Sequence, residues 1–106
     1  MSFTKEKTKL TNILKEVAEI DNYNEESWIK ITELATLYSS ILNGLYKKKP
    51  NVFGNLYKYN IAEIKYNKKM VKESFSDTAR QTNFIVYKDS IVESIDSAIE
   101  YIVDYI

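Results

Sequence analysis

Acidic side chains recur at intervals of three or four residues between positions 89 and 104, and this spacing limits the chemistry they could carry. They are Asp89, Glu93, Asp96, Glu100 and Asp104. On a helix that turns by about 100° per residue, these five carboxylates fall within an arc of about 80°. The strip predicts a recognition surface for a basic partner. The alternative is a solvated outer face, or a row of salt bridges to a neighbouring basic helix.

A divalent metal site is the other possibility for clustered carboxylates, because their oxygens are ligands for hard cations. A helical site of this kind needs a matching acidic motif on a second helix. Glu16 with Glu19 and Glu25 with Glu26 are the candidate pairs, and neither forms a convincing motif. We therefore expect no metal site and no other cofactor.

A complementary basic pattern occupies residues 47–72, which hold eight Lys against Glu63 alone, a net charge of +7. Helical spacing groups several of these lysines on one face, beside tyrosines that point away from the predicted core. The partner-binding candidates are Lys58, Lys65, Lys69, Tyr59 and Tyr66. Exposed Tyr is enriched in protein interfaces, whereas Lys beside aromatic rings is typical of nucleic-acid binding. A third interpretation is that the basic and acidic rows flank the contact between two antiparallel helices.

Two residue types that carry much of enzyme chemistry are missing from the sequence. Among 106 residues there is no Cys and no His. Thiolate nucleophiles, disulfides and thiolate metal sites are therefore excluded, as are the commonest general base and the commonest transition-metal ligand. We expect no catalytic residue and a protein that is not an enzyme.

The overall composition predicts a single helical domain over residues 1–106. Hydrophobic residues make up 44% and charged residues 28%, which are values for a globular chain. Two Gly and one Pro are too few for the many turns of a β-sandwich or barrel.

Apolar periodicity and capping signals divide the chain into four predicted helices. The first covers about residues 4–20, and the second follows the N-cap residue Asn24 as far as about Lys47. The third begins after Pro50 and covers about residues 51–72. A polar stretch at residues 76–83 fits the break before the fourth, with Ser74 and Asp77 as a potential capping box.

The break between the third and fourth helices is supported by a change in helical phase. One apolar line runs through Phe53, Tyr57, Ile64, Val71 and Phe75. A second line runs through Phe84, Ile91, Ile95, Ala98 and Ile102, displaced by roughly half a turn. One continuous helix is thus disfavoured, and the sequence predicts an all-α, antiparallel four-helix bundle with up-down-up-down topology.

The second predicted helix has the broadest apolar face and carries no charge from Leu34 to Tyr46. Its other side offers small polar residues, among them Ser39, Ser40 and Asn43. Such residues let another helix approach closely. This helix is therefore either the central helix of the bundle or the interface of a homodimer.

These patterns favour a non-enzymatic protein-binding module, such as an immunity, inhibitor or adaptor protein, acting through a charged, Tyr-bearing helical face. The alternative is a nucleic-acid-binding protein that uses the lysines of the third helix. The abundance of Lys, Asn, Ile and Tyr is typical of AT-rich coding sequences and suggests a bacterial or phage origin. The first residues lack the apolar stretch of a signal peptide, so we expect a cytoplasmic protein without a membrane partner.

Overall fold

The computed structural model describes residues 3–105, and over this range the chain forms helices and no strand. Helix α1 covers Thr4–Ala18 and α2 covers Glu25–Lys48. Helix α3 covers residues 50–72 in three consecutive segments, which are Pro50–Asn55, a π-helical turn at Leu56–Asn60, and Ile61–Lys72. Helix α4 covers Asp77–Tyr105. The all-α prediction is confirmed, and no helix in the described range has a stretch long and apolar enough to cross a membrane.

Local signals at the ends of α2 act as predicted. The Asn24 side chain accepts a hydrogen bond from the Ser27 backbone N–H at 2.8 Å, which satisfies one of the free donors of the first turn. Lys47 and Lys48 lie in the last turn, where cations are favoured by the partial negative charge of free carbonyls. Pro50 then begins α3, where its missing N–H is no loss.

The boundary between α3 and α4 lies where the phase change predicted it, but the capping box does not form. Ser76, not Ser74, caps α4, because its hydroxyl accepts a hydrogen bond from the Ala79 N–H at 3.1 Å. The Ser74 hydroxyl instead donates to the Met70 carbonyl at 2.8 Å and accepts from the Asn83 amide at 3.0 Å. Ser74 therefore bonds to a free carbonyl at the end of α3 and links this end of the helix to α4.

The core is centred on the apolar face of α4. All five residues of its predicted apolar line are buried, as are Tyr38, Leu42 and Leu45 of α2. The apolar line of α3 holds at Phe53, Ile64 and Val71, while Tyr57 is half-buried. Phe75 is the exception, because α3 ends at Lys72 and the turn leaves its ring fully exposed.

Ion pairs and packing contacts connect neighbouring helices of the bundle. Between α1 and α2, Glu6 pairs with Lys48 at 3.1 Å and Glu16 with Lys30 at 3.8 Å. Helix α3 packs on α4, and it contacts α2 near the turn that joins them. Helix α1 packs on both α2 and α4. Helices α2 and α4 also contact each other across the shared core, so each of these two helices contacts the other three.

The turn between α1 and α2 is held by two side chains of α4. The Gln81 amide donates to the Tyr23 carbonyl at 3.0 Å, and its oxygen accepts from the Tyr23 N–H at 2.9 Å. The Lys88 ammonium donates to the carbonyls of Ala18 and Ile20, which are free acceptors at the end of α1. These contacts satisfy backbone groups that the end of α1 and the turn leave without helical partners.

Candidate interaction surfaces

The outer side of α3 presents two aromatic rings to solvent. Tyr59 and Tyr66 are each 61% exposed, as their helical positions predicted. Ile64 and Val71, on the opposite side of the same helix, are buried in the core. Because the core fixes the rotation of α3, the two tyrosines are held outward rather than exposed by a loose segment.

Lysines lie beside these rings and have no acidic partner. The Lys58 ammonium lies 5.6 Å from the centre of the Tyr59 ring, within the range of a cation–π contact. Farther along α3, a shallow depression is lined by Lys65, Lys68, Lys69, Lys72 and Glu73. Within residues 3–104, whose side chains the structure describes, no lysine of residues 58–72 has a carboxylate within 4.0 Å. We call Lys58, Lys65, Lys69, Tyr59 and Tyr66 the α3 basic face.

The π-helical turn is a feature that the sequence analysis missed. It contains Lys58 and Tyr59, and it is followed without interruption by the α-helical remainder of α3. Tyr57, in the same turn, stacks on Tyr46 of α2, with ring centres 5.0 Å apart and planes inclined by 5°. π-Helical turns are rare and frequently occur at functional sites. The preceding Gly54 and Asn55, both weak helix formers, are a local sign of irregularity.

Two lysines of α3 lie beside α2. Lys58 shares a depression with Tyr46, and Lys68 shares one with Thr36 and Leu37, all residues of α2. The side of α3 that meets α4 is marked instead by the hydrogen bond from the Asn83 amide to the Met70 carbonyl at 3.3 Å. Among residues 3–104 no lysine of α3 pairs with a carboxylate of α4, so the basic and acidic rows form no salt bridge across the α3–α4 contact.

The five carboxylates of α4 form one exposed strip, which we call the α4 acidic strip. It consists of Asp89, Glu93, Asp96, Glu100 and Asp104, all of them exposed. The strip lies opposite the buried line of Ile91, Ile95 and Ile102 and therefore points straight outward from the bundle. None of its members pairs with a cation among the side chains of residues 3–104. The strip is therefore a solvated outer face, and it forms no row of salt bridges with the described side chains.

The outer side of α2 is also exposed, and it is uncharged over several turns. Leu37 is 55% exposed, and Ser40 is also exposed. A methyl group placed on Gly44 would meet no atom within 4 Å. The Ser39 hydroxyl is used within the helix, donating to the Ala35 carbonyl at 3.0 Å. This side can accommodate another helix.

Two buried tyrosines have contrasting surroundings inside the core. The Tyr38 hydroxyl shares a hydrogen bond with the Ser94 hydroxyl, which links α2 to α4. The Tyr87 hydroxyl is equally buried but has no hydrogen-bond partner in the described part of the chain. Burial raises the pKa of both phenols, to about 12 for Tyr87, because the charged form loses its hydration. Both are sealed from solvent, so neither is placed to contact a substrate.

The described surfaces offer recognition by charge and aromatic contact. Among residues 3–104 no three carboxylates converge closely enough to hold a metal ion. The depressions along α3 are open and are lined by lysine, tyrosine and small polar groups. Comparison of the chain with protein-family models, curated proteins and solved structures gave no match.

Proposed function

We propose that this chain is a non-enzymatic protein-binding module of the immunity, inhibitor or adaptor type, acting through the α3 basic face. The observation that carries the proposal is the fixed outward position of Tyr59 and Tyr66 beside lysines that have no acidic partner among the side chains of residues 3–104. Tyr contributes a large, rigid contact area to interfaces. Unpaired cations beside such rings add attraction and orientation for a partner of opposite charge.

The proposal includes a single domain, with the helices running up, down, up and down. The two ion pairs between α1 and α2 support it, since each joins the start of one helix to the end of the other. Contacts between α3 and α4 follow the same rule. The ring centres of Phe53, near the start of α3, and Tyr101, near the end of α4, are 6.3 Å apart. At the other end of this helix pair, the Asn83 amide donates a hydrogen bond to the Ser74 hydroxyl. In this arrangement the α3 basic face is a rigid platform.

Capture of partners from a lysate of the native host tests this function. The unmodified protein should retain a specific protein, and the double variant Tyr59→Ala/Tyr66→Ala should lose it. Tyr59→Phe/Tyr66→Phe keeps the rings and should retain most of the binding. Ile29→Ala, which removes an exposed apolar group of α2, is the matched control. Loss of capture in the control alone would contradict the assignment to α3.

Fractionation of the host tests the cytoplasmic location that we propose.

A second candidate function is nucleic-acid binding by the same lysines. It is favoured by the position of the α4 acidic strip on a different helix, where it does not neutralise Lys58, Lys65 or Lys69. Each phosphate neutralised adds roughly 0.7–0.9 to the slope of log affinity against log salt. Replacing these three lysines by Gln should therefore lower both affinity and slope for a generic oligonucleotide. The protein-binding proposal expects no useful affinity at physiological salt.

A further inference from the structure

The lysines of α3 and the α4 acidic strip cover similar lengths of helix. From Lys58 to Lys72 is about 21 Å along a helix, and from Asp89 to Asp104 is about 22 Å, at ~1.5 Å per residue. Both rows follow helical spacing and both lack partners of opposite charge within residues 3–104. The formal net charge of the whole chain is zero. The molecule therefore carries two complementary charged rows rather than a single excess of charge.

These two rows do not meet within one molecule. Lys58 and Lys68 border α2, whereas the carboxylates point outward from α4, opposite its buried face. Among the side chains of residues 3–104, no lysine of α3 lies within 4.0 Å of these carboxylates. Charges separated by more than about 8 Å across solvent are largely screened at physiological ionic strength. Each row is therefore available to another molecule, and a second copy presents the complementary row in the required length.

Exposed apolar groups border both rows. Tyr59, Tyr66 and Met70 lie on α3, and Ile85, Val86 and Val103 lie on α4. Exposed ion pairs alone stabilise an interface little, so such anchors are needed for measurable association. Aromatic anchors beside charged pairs are typical of interface centres.

We propose that copies of this chain associate head to tail, with the α3 basic face of one copy on the α4 acidic strip of the next. This inference rests on the proposed function, because it names a partner for the same face. The two rows lie on different helices and face different directions, so a single partner copy does not cover both. The interface is therefore heterologous, and each copy retains one free row after pairing. Such contacts form rings or open chains rather than a two-fold dimer.

Sedimentation of paired charge-reversal variants tests the proposal. One variant carries Lys58→Glu, Lys65→Glu and Lys69→Glu, and the other carries Glu93→Lys, Asp96→Lys and Glu100→Lys. The unmodified protein should form concentration-dependent assemblies larger than a dimer at low salt, and these should dissociate in roughly 0.5 M NaCl. Each variant alone should be monomeric. An equimolar mixture of the two should associate again, because each variant then presents the row that the other lacks.

A control variant carries the same change in net charge as the acid-to-Lys variant, placed elsewhere on the molecule. Glu19→Lys, Asp21→Lys and Glu26→Lys alter exposed residues near the turn between α1 and α2 and should leave assembly largely intact. If a reversal variant loses its helical circular dichroism, the corresponding Gln variants replace it and should also fail to assemble. A monomeric unmodified protein at low salt and high micromolar concentration would overturn the proposal, as would assembly that survives both reversals.

The outcomes also separate this inference from the proposed function. A monomeric protein that captures a host protein through Tyr59 and Tyr66 would refute self-association and retain the binding function. A self-associating protein that captures no other protein would do the reverse. Binding of an oligonucleotide by the unmodified protein, with no assembly, would refute the inference and favour the second candidate function.

Discussion

The side-chain amide of Gln81 in α4 bonds to both backbone polar groups of Tyr23, fifty-eight residues earlier in the chain. The two contacts resemble a rung of a β-ladder in which one partner is a side chain. They fix the turn between α1 and α2 against the start of α4, where Arg80 also lies 5.7 Å from the centre of the Tyr23 ring. Gln81 and Arg80 thus hold the turn between α1 and α2 against the start of α4.

The first prediction concerns this clamp. Gln81→Ala should lower the free energy of unfolding by about 1–2 kcal/mol, because two part-buried hydrogen bonds are lost. Gln81→Glu keeps an acceptor for the Tyr23 N–H but removes the donor to its carbonyl, so its effect should be intermediate. Urea denaturation followed by circular dichroism measures both. Equal stability of all three proteins would show that water replaces the clamp without loss.

The clamp illustrates which parts of the fold the sequence could predict. Apolar periodicity located α4 and its buried face, since the burial of Ile91, Ile95 and Ile102 depends on spacing along one helix. Asn24 and Pro50 are also local signals. The Gln81–Tyr23 contact joins distant segments, and one polar residue in a polar stretch gives no sign of its partner. Whether Ser74 or Ser76 caps α4 depended on a difference of two residues, which periodicity does not resolve.

The second prediction compares two buried tyrosines. Tyr87→Phe should stabilise the protein by about 1 kcal/mol, because it removes a buried hydroxyl that has no partner in the described chain. Tyr38→Phe should destabilise it by about 1–2 kcal/mol, because the bond to Ser94 is lost. The two substitutions remove the same atom from similarly buried rings. Thermal and urea denaturation measure both changes in stability. Two changes of the same sign would contradict this prediction.

The third prediction concerns unfolding at alkaline pH. The pKa of Tyr87 rises from 10.0 in the unfolded chain to about 12 in the folded protein, because burial disfavours the phenolate. Below pH 10 the phenol is protonated in both states, so its contribution to stability is fully present. Between pH 10 and about 12 only the unfolded state loses the proton, and stability falls.

Measurement of unfolding free energy against pH checks this expectation. The loss between pH 9 and 11.5 should be about 1–2 kcal/mol smaller in Tyr87→Phe than in the unmodified protein, since one pKa unit corresponds to about 1.4 kcal/mol. Both proteins share their lysines, so titration of those groups cancels in the comparison. Parallel curves would show that Tyr87 ionises with an ordinary pKa.

The fourth prediction compares two leucines of α2. Leu42 is fully buried, and Leu42→Ala should destabilise the protein by roughly 2–5 kcal/mol through the lost contacts and the cavity left behind. Leu37 is 55% exposed, and Leu37→Ala should change stability by less than about 1 kcal/mol. Both have the same helix propensity, so the difference reports burial alone. Similar losses in chemical denaturation would place Leu37 in a packed interface.

The candidate surfaces were predicted less completely than the core. The exposure of Tyr59, Tyr66 and the acidic strip follows from their positions opposite a buried face, and the structure confirms it. Which neighbour the lysines of α3 border could not be predicted, because helical spacing gives a direction relative to the core and not the identity of the adjacent helix. The stacking of Tyr46 on Tyr57 depends on that same arrangement of helices, as does the π-helical turn that contains Tyr57.

The fifth prediction concerns the uncharged side of α2, for which a homodimer was the alternative to a central helix. If this side pairs with a second copy, Ser40→Arg should convert a dimer into a monomer, because it would bury an unpaired charge. Gly44→Ala separates the two cases independently. Its added methyl group meets nothing within 4 Å in one chain, so it should stabilise a monomer by about 0.5–1 kcal/mol.

In a dimer that packs closely at Gly44, the same methyl group would disrupt the interface, and dissociation should accompany any gain in helix stability. Ser40→Ala, which adds no charge and little volume, is the control. Sedimentation of the four proteins at low and high micromolar concentration provides the measurement. A monomer throughout would dispose of the α2 dimer. An assembly that resists Ser40→Arg but dissociates on reversal of Lys58, Lys65 and Lys69 would assign association to the α3 basic face instead.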